Sequence, residues 1–153
     1  MRLRRPGFTF VEILMSMAVI AILAGIVIPK TGDFIKRAKA AAVVGDIVAI
    51  RDGVYNYYTD SSAYPLTGAM GEVPPALISY LPIGFSFVKT DYSLQYNNWP
   101  VSQTIPGYPS TTGIIGITVE TTDPRVGQLV QALLANWPQF QSGQNYTFII
   151  FGL

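Results

Sequence analysis

Glu12 is the sole charge in the 21-residue run from Phe8 to Ile28, FTFVEILMSMAVIAILAGIVI. A carboxylate in hydrocarbon costs several kcal/mol unless a cation pairs with it, so an ionisable group there marks a function with a partner to be found. Other chemistry is sparse. The chain has no cysteine and no histidine, which removes thiol nucleophiles, disulfides, thiolate metal sites, the commonest general base and the commonest transition-metal ligand. Asp60 with Ser61 and Ser62 makes an oxygen-rich loop, but one carboxylate is too few for a calcium site. Asp123 precedes Pro124 as a helix cap would, and Glu120 alternates outward from a strand. With no phosphate loop, metal motif or nucleophile elbow, no enzymatic activity, cofactor or metal is expected.

These residues need elements to place them. A helix from Phe8 to Ile28 rises roughly 30 Å at 1.5 Å per residue, the thickness of a hydrocarbon core. Arg2, Arg4 and Arg5 precede it, so the positive-inside rule keeps the N-terminus cytoplasmic and the remainder outside. An ordinary signal peptide has a shorter apolar region with its small-residue cleavage site directly after it. Ala38-Lys39-Ala40 imitates such a site but lies beyond a basic cluster, and no cysteine follows ILAG to make a lipoprotein. Beyond Gly53 only Lys89 and Arg125 are basic, against Asp60, Glu72, Asp91, Glu120 and Asp123. A mildly acidic head on a basic neck argues against nucleic-acid binding.

One nearly continuous helix is predicted from Phe8 to Tyr58, its second half amphipathic, with Val43, Ile47, Ile50, Val54 and Tyr58 along one face. Tyr55, Tyr57 and Tyr58 point in different directions at this spacing, which suits core and subunit contacts better than a stacking ladder. Thr59–Ala76 reads as a loop and Ile78–Tyr80 as a short helical turn. A strand is expected around Tyr92, Leu94 and Tyr96, a proline-rich loop over Asn97–Ser110, and a strand at Ile115, Ile117 and Val119, whose neighbours Gly116, Thr118 and Glu120 take the other face. A helix marked by Val126, Leu129, Val130, Leu133, Leu134 and Trp137 closes before Pro138, and Tyr146–Phe151 makes a final strand. The fold class is α+β: a long N-terminal helix on a small antiparallel sheet, with a short helix in the C-terminal half.

Glycine followed by FTFVEIL, behind a basic leader and with a glutamate fifth from the junction, resembles the class III signal of bacterial type IV pilins and type II secretion pseudopilins. The resemblance implies four parts: a leader at 1–7, a transmembrane or filament-core helix at 8–29, an amphipathic half at 30–58 and a β-rich head at 59–153. It implies that prepilin peptidase cuts between Gly7 and Phe8, that Phe8 becomes N-methylated, and that Glu12 neutralises the Phe8 amine of a neighbour in a homo-oligomeric filament. Pro29 matches a position where filament helices lose regularity, and Tyr64-Pro65 a pair common after the long helix. The implied partners are the inner membrane, an assembly ATPase and a platform protein, and the implied location is first the inner membrane, then an extracellular pilus. A pseudopilus that pushes secreted cargo is the alternative. An uncleaved, membrane-anchored periplasmic binding module and a tethered hydrolase are readings from other classes, and neither has a motif behind it.

Overall fold

A computed structural model describes residues 7–100 and 113–152, and for 27–30 the backbone alone. Leader residues 1–6 and most of the expected Asn97–Ser110 loop lie outside the described residues. The element order is α1 (Phe10–Ser61), a 3-10 turn (Pro75–Tyr80), β1 (Tyr92–Trp99), β2 (Ile114–Thr121), α2 (Pro124–Leu133), β3 (Gln139–Ser142) and β4 (Asn145–Gly152). The strands pair antiparallel in the order β1-β2-β4-β3, so the architecture is the expected α+β arrangement. The chain divides into two compact units, Met1–Lys36 and Arg37–Leu153.

In the second unit the Arg37–Ser61 part of α1 buries Ala40, Val43, Ile47, Ile50 and Val54 completely against Leu94, Tyr96, Ile117 and Phe148 of the sheet. Each such branched side chain contributes about 1.5–3 kcal/mol by leaving water. Tyr58 departs from the expected stripe: it is 41% exposed and stacks on Tyr64 at 4.5 Å, while Tyr57 packs partly buried against the core and meets Tyr80 edge-on at 5.5 Å. After Val54 the buried stripe continues at the third residue rather than the fourth, because a 3.6-residue period alternates between the two spacings.

β1 runs on to Trp99, through residues expected in a loop. Asparagine is a poor strand former, but Asn97 is buried and its Nδ2 donates to Thr118 Oγ1 at 2.9 Å, and Thr118 in turn shares a 2.9 Å hydrogen bond with Thr147. A satisfied polar row therefore runs across three strands on the face where Gly116 and Thr118 sit, and that face is buried instead of open. Ile114, Ile149, Trp99 and Phe140 form a second small apolar cluster there.

α2 begins as the sequence indicates. The Arg125 N–H donates to Asp123 Oδ1 at 2.9 Å with Pro124 at the first turn. Val126 and Val130 are buried, but Leu133 is 58% exposed, and the helix ends there rather than running on to Trp137. Gly127 leaves room for the Tyr146 ring to lie directly against α2. β3 was not legible as a strand because QFQS is short and polar, yet it pairs with β4 across a two-residue turn whose first position, Gly143, has φ +63.

Candidate processing and assembly site

The chemistry-bearing N-terminus begins with two residues outside the helix. Gly7 and Phe8 precede α1, Phe8 is 87% exposed, and a Cβ built on Gly7 would meet nothing within 4 Å. Packing among the described residues therefore places no demand for glycine at position 7.

Helix α1 starts at Phe10 rather than Phe8 because Thr9 and Glu12 set its first turn. The Thr9 N–H and Oγ1–H both donate to Glu12 Oε2 at 2.8 Å, and the Glu12 N–H donates back to Thr9 Oγ1 at 3.3 Å. This is a capping box: a threonine N-cap and a glutamate three residues later satisfy each other's backbone N–H groups, and the carboxylate faces the positive end of the helix. Its signal, Thr-x-x-Glu ahead of an apolar run, lies in the sequence as TFVE, but Glu12 draws attention by its charge and not by its distance from Thr9. Ser16, one turn on, donates its hydroxyl to the Glu12 carbonyl at 2.8 Å.

Apart from Glu12 and Ser16, the helix from Phe10 to Ile26 is apolar and open on nearly every side, with Phe10 75%, Met15 68% and Ile22 65% exposed. Such a contiguous surface belongs against lipid or other apolar helices. Among the described residues no single helix is long and apolar enough to cross a membrane; Phe10–Ile26 meets that test only together with Thr31–Ser61. Pro29 falls within α1, in the stretch where the backbone alone is described.

In the head, polar contacts fasten one loop to the neck. Lys39 Nζ meets Asp91 Oδ1 at 2.7 Å, Tyr92 Oη donates to Asp46 Oδ2 at 2.6 Å, and Lys89 Nζ lies 3.7 Å from the same oxygen. Burial first, then the hydrogen bond to Asp46, raises the pKa of the Tyr92 hydroxyl above the ordinary tyrosine value. Asp60, weighed above as a cation ligand, accepts from Tyr80 Oη at 3.0 Å. Among the described residues no group of three or more acidic side chains is arranged to hold a metal.

Residues 2–28 match the family described as "Prokaryotic N-terminal methylation motif". The chain is similar to the type II secretion system core protein G of Pseudomonas aeruginosa, 36% identical over 66 residues that cover 43% of this chain and 46% of the relative. It is also similar to the proteins of the same name from Klebsiella pneumoniae, 34% identical over 64 residues (42% and 46%), and Escherichia coli, 29% over 89 residues (58% and 61%). The chain thus spans about half the length of the curated relatives it matches. No solved structure matches. The methylation motif and the relatives make this chain similar, over its N-terminal part, to type II secretion core proteins, and a long N-terminal helix followed by a small antiparallel sheet with one further helix is the α+β arrangement expected of a pilin-like chain.

Proposed function

We propose that this protein is a structural, non-catalytic subunit of a pseudopilus of the type II secretion kind. It is inserted in the inner membrane with its N-terminus cytoplasmic and its head periplasmic, cut between Gly7 and Phe8 by prepilin peptidase, N-methylated on Phe8, and polymerised through its apolar N-terminal helix. An assembly ATPase and a platform protein are its machinery. The observation that carries this reading is Glu12, a lone carboxylate at the first turn of an exposed apolar helix, held by Thr9 two residues after an open Gly7-Phe8 junction. Cleavage turns the Phe8 nitrogen into a cation. In a helical array the Glu12 of one subunit neutralises the Phe8 amine of the next, so two costly buried charges become one pair. Pro29 then loosens α1 where the packed helices need it. The relatives' printed names favour a secretion pseudopilus over the long surface pilus that the N-terminal signal alone equally allows.

Intact mass and N-terminal analysis of the protein from its native membrane test the processing step: loss of Met1–Gly7 and gain of one methyl group are expected. A full-length chain with its leader in place sinks the reading. Glu12→Ala is expected to leave cleavage intact and lower filament yield at least tenfold. Deleting the protein should block export of secreted enzymes, and a deletion that removes surface fibres but spares secretion returns the pilus.

A further inference from the structure

The Pro65–Gly71 segment lies along the outer edge of β1 and is fixed there. The Gly68 N–H donates to the Tyr96 carbonyl at 3.1 Å and the Gly71 N–H to the Leu94 carbonyl at 2.8 Å. Gln95 Nε2 donates to the Gly68 carbonyl and Asn98 Nδ2 to the Pro65 carbonyl, each at 2.9 Å. A pocket of about 420 Å³ opens between this segment, the end of α1 and the start of the 3-10 turn, with Tyr57, Tyr64, Pro65, Gly68, Glu72 and Pro74 among its walls. Glycine is needed at position 68, since a Cβ there would lie 3.1 Å from the Glu72 carbonyl oxygen and 3.2 Å from Pro74 Cγ. The volume suits a small molecule, for which pockets run from about 300 to 1,000 Å³.

Unused hydrogen-bonding capacity gathers beside it. Tyr96 is fully buried, and its hydroxyl has no hydrogen-bond partner among the described residues. Buried tyrosine hydroxyls usually find one, because a stranded donor forfeits its bonds to water. The hydroxyls of Tyr64 and Tyr57 lie near it: after burial, their proximity is what raises the Tyr96 pKa. Neither of them makes a hydrogen bond among the described residues, although both rings are held, Tyr57 edge-on to Tyr80 and Tyr64 stacked on Tyr58. Three phenolic donors therefore meet at one pocket without an acceptor.

The lining discriminates among guests. Glu72 lines the pocket and no lysine or arginine does among the described residues, so an anion would meet a carboxylate with no cation to offset it. An ammonium group has three donors and no acceptor, and would leave the tyrosine O–H groups unsatisfied. A wholly apolar guest would do the same. A neutral ring bearing several hydroxyls meets each demand: its oxygens accept from tyrosine, one of its hydroxyls donates to a carboxylate, and its C–H surface lies on proline and tyrosine. We propose that this pocket binds a neutral sugar ring, with Tyr57 and Tyr64 donating from the wall, Glu72 accepting, and Tyr96 donating from behind once the Tyr64 ring turns aside. The site lies wholly within the Arg37–Leu153 unit and does not depend on the filament reading.

Saturation-transfer NMR on the full chain tests it, in a zwitterionic detergent without a sugar headgroup. The probes are D-glucose, D-galactose and N-acetyl-D-glucosamine, with butylammonium, acetate and triproline as counter-probes. Saturable binding of at least one sugar is expected, with a Kd of about 1 mM, and none of the counter-probes should compete. Tyr64→Phe and Tyr96→Phe each keep the ring and remove one donor, so each should weaken binding about threefold or more with unchanged helix content. Tyr55→Phe, at an exposed tyrosine on α1 outside the pocket, should bind as the parent does. No saturable signal from any of the three sugars at about 50 mM, well above a millimolar Kd, would mean that the pocket takes water alone and overturns the proposal. Tighter binding of a counter-probe, or undiminished sugar binding in both Tyr64→Phe and Tyr96→Phe, overturns it equally.

Discussion

Thr9 and Glu12 satisfy each other before any neighbouring subunit is present, so Glu12 has two partners in succession: its own N-cap and then, in the proposed filament, a foreign amine. Removing the first should cost what an N-cap costs. Thr9→Val is expected to destabilise the first turn of α1 by about 1 kcal/mol, and Thr9→Ser to keep most of it. Amide hydrogen exchange at Val11–Ile13 in detergent micelles reads the difference, and unchanged exchange in Thr9→Val would show that the box holds nothing. A second residue-scale case is Tyr96, which is fully buried with no hydrogen-bond partner for its hydroxyl among the described residues. Tyr96→Phe deletes an unsatisfied polar group and keeps the ring, so it should be neutral or stabilising by up to about 1 kcal/mol in denaturant unfolding. A loss of 2 kcal/mol or more would mean that the hydroxyl has a partner.

At the scale of elements, the amphipathic part of α1 is legible because its apolar spacing is long and regular, and α2 because Asp123-Pro124 punctuates it. Ile47 sits mid-stripe and is fully buried. Ile47→Ala should therefore cost about 2–5 kcal/mol, the spread reflecting how far the sheet can close over the gap. Gly127→Ala tests packing of a different kind, since the added methyl would collide with the Tyr146 ring. It should be more damaging than its better helix propensity suggests, and a stabilised protein would show that the ring moves aside. β3 and the last residues of β1 escaped sequence reasoning for a common reason. Their side chains are polar or short of alternation, and their strand state comes from pairing: β3 through a tight hairpin with Thr147 and Asn145, and β1 with Thr118 and Ile115 farther along the chain.

For the molecule as a whole, the pH response follows from buried tyrosines, there being no histidine to titrate near neutrality. Burial raises the hydroxyl pKa of Tyr96, and burial with the Asp46 hydrogen bond raises that of Tyr92. A folded pKa above the unfolded value of about 10 means the folded state holds its protons longer, so this stability is fully present below pH 10 and is lost as pH rises beyond it. Thermal unfolding of the full chain in detergent should show no tyrosine-linked change from pH 7 to 9 and a falling midpoint above pH 10. Tyr92→Phe and Tyr96→Phe should each flatten that alkaline limb, and a limb of unchanged slope in both would remove buried tyrosine as its cause.

The sequence by itself determined the parts whose cause is local. The basic leader, Gly7-Phe8 and Glu12 in an apolar run carry the match to the N-terminal methylation motif, since charge and hydropathy act on a segment whatever lies beyond it. The buried stripe from Ala40 to Val54 and the cap on α2 are local in the same sense. Tertiary structure decided what depends on distant neighbours: that the second face of the sheet is closed by a polar row and a small aromatic cluster, that Tyr57 and not Tyr58 continues the core, and that the hydroxyls of Tyr57, Tyr64 and Tyr96 come together beside one pocket. Burial is a property of the space around a side chain, and residues far apart in the chain fill that space.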